Sequence, residues 1–198
     1  MIYLIVWNVA RLLAIVFFRL RAFGRKNIPD NSGVVLASNH QSYLDPVLIG
    51  LPLARPVYFL ARKELFEFNR FFGWFLRNLH AIPLERRTFD STGLREAIEI
   101  LQKGGLLVVF PEGTRTSDGK IGKIQKGIGL LGLKANVPLT PTLINGTYQS
   151  WPRQHKLPIR FKPVSIRFNK PIWLDKTNIS GLVNYWEELK NSKSGIVK

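Results

Sequence analysis

From about Gly33 onward, short apolar runs of strand length alternate with segments of helical period, and this alternation narrows the possible folds more than any other feature. Gly33-Val-Val-Leu-Ala-Ser-Asn39, Val57-Tyr-Phe-Leu-Ala61 and Leu106-Leu-Val-Val-Phe110 are rich in β-branched and large apolar residues at both parities. Strands buried on both faces read this way. His80 to Leu84 is a broken strand, because Pro83 removes a ladder donor near its centre. Leu139 to Ile144 and Pro163 to Phe168 are further strands. Between them, Glu64 to Asn78 reads as one Phe-rich amphipathic helix with Gly73 as its weak point. Asp90 to Lys103 is a second helix, capped by Asp90 or Ser91 and ended by Gly104-Gly105; its Leu94, Ala97, Ile98 and Leu101 share a face. Shorter helices are expected over Gly127 to Ala135 and Ile179 to Lys190. Strands alternating with helices predict an α/β domain with a mixed, largely parallel sheet flanked by helices. The chain has 198 residues and no internal repeat, so one such domain is expected, over residues 25–198.

Residues 1–24 read differently, as an N-terminal hydrophobic and amphipathic membrane anchor. Met1 to Phe18 is apolar apart from Asn8 and Arg11, which interrupt it before the roughly 20 apolar residues that a bilayer span needs. On a helix, Asn8, Arg11 and Arg19 fall in one stripe, and Arg21, Arg25 and Lys26 follow at once. A helix lying in one leaflet with its basic end on headgroups fits this pattern best. A core helix, or a single span with Arg11 snorkelling, are the alternatives. No basic segment precedes the apolar run and no small-residue cleavage site ends it, so a cleaved signal peptide is not expected.

The 29 Lys and Arg against 13 Asp and Glu leave a net charge of +16, which suits nucleic acid, anionic lipid or acidic soluble ligands. No nucleic-acid motif is present, and the aromatic residues cluster in expected helices rather than along a basic groove. A lipid surface is therefore the expected partner, with no nucleic acid, and the expected location is a membrane's cytoplasmic face. The chain has no cysteine, which excludes disulfides, thiolate metal sites and a cysteine nucleophile.

Chemistry-bearing residues gather just after three of the strands. His40 and Asp45 follow the first, where the chain turns into a helix marked by Asp45-Pro46. An Asp at that N-terminus can hold the imidazole in one tautomer and stabilise the imidazolium, which is half of a general base. The plainer reading is a capping Asp and a loop histidine. Phe110-Pro-Glu-Gly-Thr-Arg-Thr116 follows the strongest strand. There Gly113 admits close backbone approach, Thr114 adds a hydroxyl, and Arg115 offers a fork matched to phosphate oxygens. Glu112 can orient Arg115 or accept from a hydroxyl; the alternative is a solvated turn. Arg86 and Arg87 follow the Pro83 strand, with ordinary surface charge as their alternative role. Several other chemistries fail on spacing. Gly113 to Lys120 has the wrong interval for a phosphate loop, there is no Gly-x-Ser-x-Gly elbow, and His40, His80 and His155 have no zinc spacing.

Together these blocks resemble the PlsC-type 1-acylglycerol-3-phosphate acyltransferases over roughly residues 30 to 146. Asn39-His40-Gln-Ser-Tyr-Leu-Asp45 matches the family's His-x4-Asp block, and Phe110 to Arg115 matches its Phe-Pro-Glu-Gly-Thr-Arg block. Leu84-Glu85-Arg86 and Val137-Pro138-Leu-Thr-Pro141 resemble the second and fourth blocks. The resemblance implies direct transfer of an acyl group from acyl-CoA or acyl carrier protein to the sn-2 hydroxyl of lysophosphatidic acid, without a cofactor or metal. By the same resemblance His40 is the base held by Asp45. Arg86, Glu112, Gly113, Thr114 and Arg115 bind the glycerol phosphate, and the Pro138 block lines the acyl region. His80, where glycine is frequent, Glu85 for the usual Asp, and Gln125 for a frequent Lys depart from the pattern. Another lysophospholipid or glycerol-3-phosphate as acceptor, and a non-catalytic basic membrane binder, are the competing readings.

Overall fold

The computed structural model describes residues 2–85, 92–125, 129–157, 160–175, 183–186 and 188. Among these, the apolar runs form strands β1 (Arg21–Phe23), β2 (Val34–Ser38), β3 (Val57–Arg62), β4 (Ala81–Leu84), β5 (Leu106–Val109), β6 (Leu139–Asn145) and β7 (Ser165–Phe168). The helices are α1 (Ile2–Phe18), α2 (Asp45–Gly50), α3 (Lys63–Glu67), α4 (Arg70–Asn78), α5 (Thr92–Gln102), α6 (Gly129–Ala135) and α7 (Thr147–Ser150). One sheet collects the strands in the order β1-β7-β6-β2-β5-β3-β4. Every neighbouring pair is parallel except β6 with β7. The mixed, largely parallel sheet expected from the alternation is therefore present.

Side chains alternate across the pleat and divide the core into two layers. Val34, Leu36, Val57, Phe59, Leu106 and Val108 face one way and pack with Ala14 of α1, Ile49 of α2, Phe66 of α3 and Leu76 of α4. Val35, Ala37, Leu107 and Val109 face the other way, against Ala97 and Leu101 of α5 and Leu131 and Ala135 of α6. Side chains such as Leu36 and Leu107 are wholly buried, each contributing about 1.5–3 kcal/mol by leaving water. Pro83 is accommodated because β4 is the last strand in the order, where one edge needs no donors.

Three details differ from expectation. The Phe-rich helix is two helices, broken at Phe68-Asn69 rather than at Gly73. Asn69 is extended and its side chain accepts from the Phe72 N–H at 2.7 Å, so it caps a new helix. Gly73 serves packing instead, since a Cβ there would lie 2.4 Å from the Phe66 carbonyl oxygen. The second difference concerns Arg19, which leaves α1 in the left-handed region at φ 44°, so the polar stripe of α1 stops at Arg11. Third, β1 is a short edge strand within residues 1–24 that the pattern did not mark. Of the expected terminal helix, residues 183–186 and 188 are helical within the described part, and Trp186 there is fully buried.

Candidate active site

β2 and β5 lie side by side in parallel, so both deliver the chain to the same edge of the sheet. Beyond that edge their paths part. β2 leads to α2, which packs on one face through Leu48 and Ile49. β5 leads to α6, which packs on the opposite face through Leu131 and Ala135. Such divergence opens a crevice beyond the strand ends, where ligands of parallel α/β sheets bind. His40 follows β2 by two residues and Glu112 follows β5 by three.

The His40 ring Nδ1 lies 2.8 Å from Asp45 Oδ2, and Asp45 is fully buried. Asp45 is not the helix cap expected from Asp45-Pro46. It is the first residue of α2, behind Leu44, which makes no side-chain cap. The turn folds back on its own start, so Asp45 Oδ2 accepts from the amides of Gln41 at 2.6 Å and Ser42 at 2.7 Å as well as from His40. With the Gln41 and Ser42 amides already donating to the same oxygen, the imidazole is oriented with its Nδ1–H toward Asp45. Nε2 is then the basic nitrogen. The ring of Phe110 stacks on His40 at 3.8 Å between centroids and 16° between planes, a contact that residue spacing does not single out. Asn39 bonds both N–H and C=O of Ile144, at 2.8 and 2.9 Å, which locks the end of β2 to β6.

Glu112 joins the two loops. Its Oε1 accepts from the His40 amide at 2.9 Å and its Oε2 from the Gly122 amide at 2.9 Å. A second tie runs from the Thr116 amide to the His40 carbonyl at 2.8 Å. Gly113 adopts φ 67°, the left-handed geometry that glycine takes freely, and its amide closes the turn onto Phe110. Gly122 leaves room for the carboxylate, because a Cβ there would sit 2.8 Å from Glu112 Oε2 and push it off the amides it holds. Asp118 braces the same loop. The Lys120 amide, and then the Thr116 hydroxyl, hold its carboxyl below the usual aspartate range.

Beside Glu112 a cleft of about 630 Å³ opens, lined among others by Thr114, Arg115, Lys120, Lys123 and Arg153. The Arg115 guanidinium carbon lies over Tyr43, 3.4 Å from the ring centre, and Nη1 is buried without a hydrogen-bond partner. A stacked arginine with a spare buried donor is prepared for an anion. Arg153 reaches the Thr114 hydroxyl at 3.3 Å, and Trp151 packs 5.1 Å from Tyr43. Neither residue carries a local sequence signal, since each arrives from beyond β6 by topology alone.

His40, Asp45, Glu112, Gly113, Thr114 and Arg115 therefore converge on one edge, while Arg86 lies outside the described residues. Glu85, just before it, pairs with Lys63 at 2.5 Å on the surface. Pro138 lies just before β6, whose Leu139 pairs with Val35, so this block enters the sheet at the edge opposite His40. His80 has φ 62°, a left-handed backbone that accounts for glycine suiting the position. Its ring lies 4.8 Å from that of Tyr58, and burial lowers its pKa.

A family model described as Acyltransferase matches residues 19–145. The 1-acyl-sn-glycerol-3-phosphate acyltransferase of Bacillus subtilis is 30% identical over 128 residues, covering 64% of this chain and 63% of that protein. The chloroplastic 1-acyl-sn-glycerol-3-phosphate acyltransferase LPAT1 of Arabidopsis thaliana is 30% identical over 166 residues, or 82% of this chain and 46% of that protein. The chain thus spans between about half and two-thirds of the length of these curated relatives. The crystal structure of the 1-acyl-sn-glycerophosphate (LPA) acyltransferase PlsC from Thermotoga maritima superposes with a TM-score of 0.73 at 27% identity, covering 96% of this chain and 82% of that one. The matched segment contains the His40–Asp45 pair and the Glu112 to Arg115 loop, and the chain belongs to the acyltransferase family.

Proposed function

We propose that this chain transfers a fatty acyl group from an acyl thioester, acyl-CoA or acyl carrier protein, to the sn-2 hydroxyl of 1-acylglycerol-3-phosphate, giving phosphatidic acid. The observation that carries this reading is the oriented His40–Asp45 pair beside a cleft whose Arg115 has an unpartnered buried donor. The names of the relatives point to the same acceptor. In the proposed step His40 Nε2 takes the hydroxyl proton as the oxygen bonds to the thioester carbonyl carbon. The tetrahedral oxyanion then collapses, the C–S bond breaks, and the departing thiolate takes the proton back from the imidazolium. Asp45 stabilises the positive ring between these two transfers. The acceptor phosphate is held by Arg115 and Arg86, with Glu112 and Gly113 shaping the loop and Thr114 adding a hydroxyl.

The second part of the proposal places the protein on a membrane surface at its cytoplasmic face. Among the described residues no helix is long and apolar enough to cross a bilayer. The inner face of α1 packs on the core through Ala14, with Trp7, Ala10 and Phe18 against it. Its outer face leaves Leu12 and Val16 about 60% exposed. Phe68, Phe71 and Trp74 of the α3–α4 hairpin are also exposed, and that hairpin packs on the same side of the sheet as α1. Two apolar ridges on one side suit a lipid surface.

A panel of acceptors with a labelled acyl donor tests the chemistry. Lysophosphatidic acid should be acylated well above monoacylglycerol, and His40→Ala should abolish turnover while the protein still folds. Equal rates with the phosphate-free acceptor would remove the proposed role of the arginine cleft.

A further inference from the structure

Where α1 ends, a second cavity of about 390 Å³ opens that the acyl-transfer reading does not use. Arg19, Arg21, Phe23, Asn145, Gly146 and Ser165 are among its walls, and no carboxylate lines it. The register places it. Arg21 pairs with Ser165, and Ser165 with Asn145 at the carboxyl end of β6, so the cavity sits on the same sheet edge as His40. Its arginine wall on β1 lies three strand steps, roughly 14 Å, from β2, while its near wall at the end of β6 lies one step away. Among the described residues neither Arg19 nor Arg21 pairs with a carboxylate. Arg19 is also held at φ 44°, a conformation that costs an arginine stability and gains nothing in packing, since the side chain stays exposed.

The neighbourhood is amphiphilic. Phe161 packs 5.0 Å from Phe17 and 5.4 Å from Phe18, and Val16, Phe17 and Phe161 are all largely exposed. The amide of Val164 bonds the Phe18 carbonyl and that of Arg21 bonds the Val164 carbonyl. The apolar ridge and the basic cavity are therefore stitched into one surface. We propose that this cavity seats the phosphate of an anionic membrane phospholipid, as a binding site separate from the substrate cleft. The lipid's acyl chains lie along Val16, Phe17 and Phe161, and its phosphate meets Arg19 and Arg21. This site rests on α1 facing lipid, and it does not depend on the acyl-transfer chemistry.

The test uses the full chain and sedimentation with vesicles of phosphatidylcholine alone or with one-fifth phosphatidylglycerol. The parent should bind the mixed vesicles more tightly, and Arg19→Ala with Arg21→Ala should lose roughly fivefold per arginine of that gain. Lys103→Ala with Lys134→Ala, exposed on the α5–α6 side, should keep it. Arg19→Gly should melt no lower than the parent, because glycine accepts the left-handed backbone, yet should also lose roughly fivefold. Equal losses in the two double variants would show diffuse charge attraction and overturn the site. A raised KM for the acyl donor with unchanged vesicle binding would assign the cavity to the donor's phosphate and overturn it equally. If the parent ignores phosphatidylcholine vesicles as well as mixed ones, the reading of α1 fails and takes the site with it.

Discussion

Asp45 accepts three donors on Oδ2, while its Oδ1 is buried without a partner. Asp45→Asn preserves the shape and keeps one oxygen for the three donors. Its new amide group then occupies the unpartnered side, at a stability cost of about 1–3 kcal/mol. The uncharged side chain no longer stabilises an imidazolium, so kcat should fall about 10²–10⁴-fold with KM nearly unchanged, as steady-state kinetics would show. A kcat within a factor of two of the parent would deny Asp45 its electrostatic role. His80 makes a separate claim about pH. Burial lowers its pKa below the ordinary histidine value of 6.5, so the folded protein resists a proton that the unfolded chain accepts. Its neutral form costs nothing above about pH 6.5, and stability is lost as pH falls below that value toward the lowered folded pKa. His80→Asn tolerates the left-handed backbone and does not titrate. Its melting temperature should fall less than the parent's between pH 7.5 and 5, and parallel curves would contradict this.

Among the elements, α5 is seated against the edge strand through Gly93. A Cβ there would lie 2.0 Å from the Pro83 carbonyl oxygen, which is backbone and has no alternative position. Gly93→Ala should therefore destabilise by about 1–3 kcal/mol in urea titration by lifting α5 off β4. The contrast is Gly104, where a Cβ meets nothing within 4 Å but φ is 87°. Alanine there has only the backbone penalty of about 1–2 kcal/mol. The long buried strands were legible in the sequence because two-sided burial needs unbroken apolar runs, as in Val34 to Ala37 and Leu106 to Val109. β1 was not legible, since three half-exposed residues at an edge carry no such run. Nor was the break before Asn69, because large apolar residues continue on both sides of it and only its bond to the Phe72 amide reveals the cap. At the site, local spacing revealed His40 with Asp45 and the Glu112 to Arg115 loop. Arg153 and Trp151 reach it through the return of the chain after β6, which spacing does not encode.

For the whole molecule, a net charge of +16 overstates the free basic surface. Arg55 spends its guanidinium on the carbonyls of Pro29, Asp30, Ser32 and Gly104, at 2.7 to 3.2 Å, and Arg115 lies over Tyr43. The outer face of α1 is where the proposed membrane attachment is best tested. Deleting the first 22 residues would also remove the Ala14 and Trp7 packing and most of β1, so a failure would be ambiguous. Val9, Leu12 and Val16 point outward, and replacing all three by Ser should leave the melting temperature within a few degrees while moving protein out of the membrane fraction. Full retention there would transfer the role to the Phe68–Trp74 ridge.

The bonds that the Glu112 carboxylate accepts have a kinetic consequence. Because one side chain binds the amides of both His40 and Gly122, a motion that displaces the Glu112 carboxylate frees both protons at once. Opening by that route should give the two amides matched protection factors in hydrogen exchange. The geometry around the imidazole is then set when the chain folds, before any lipid arrives.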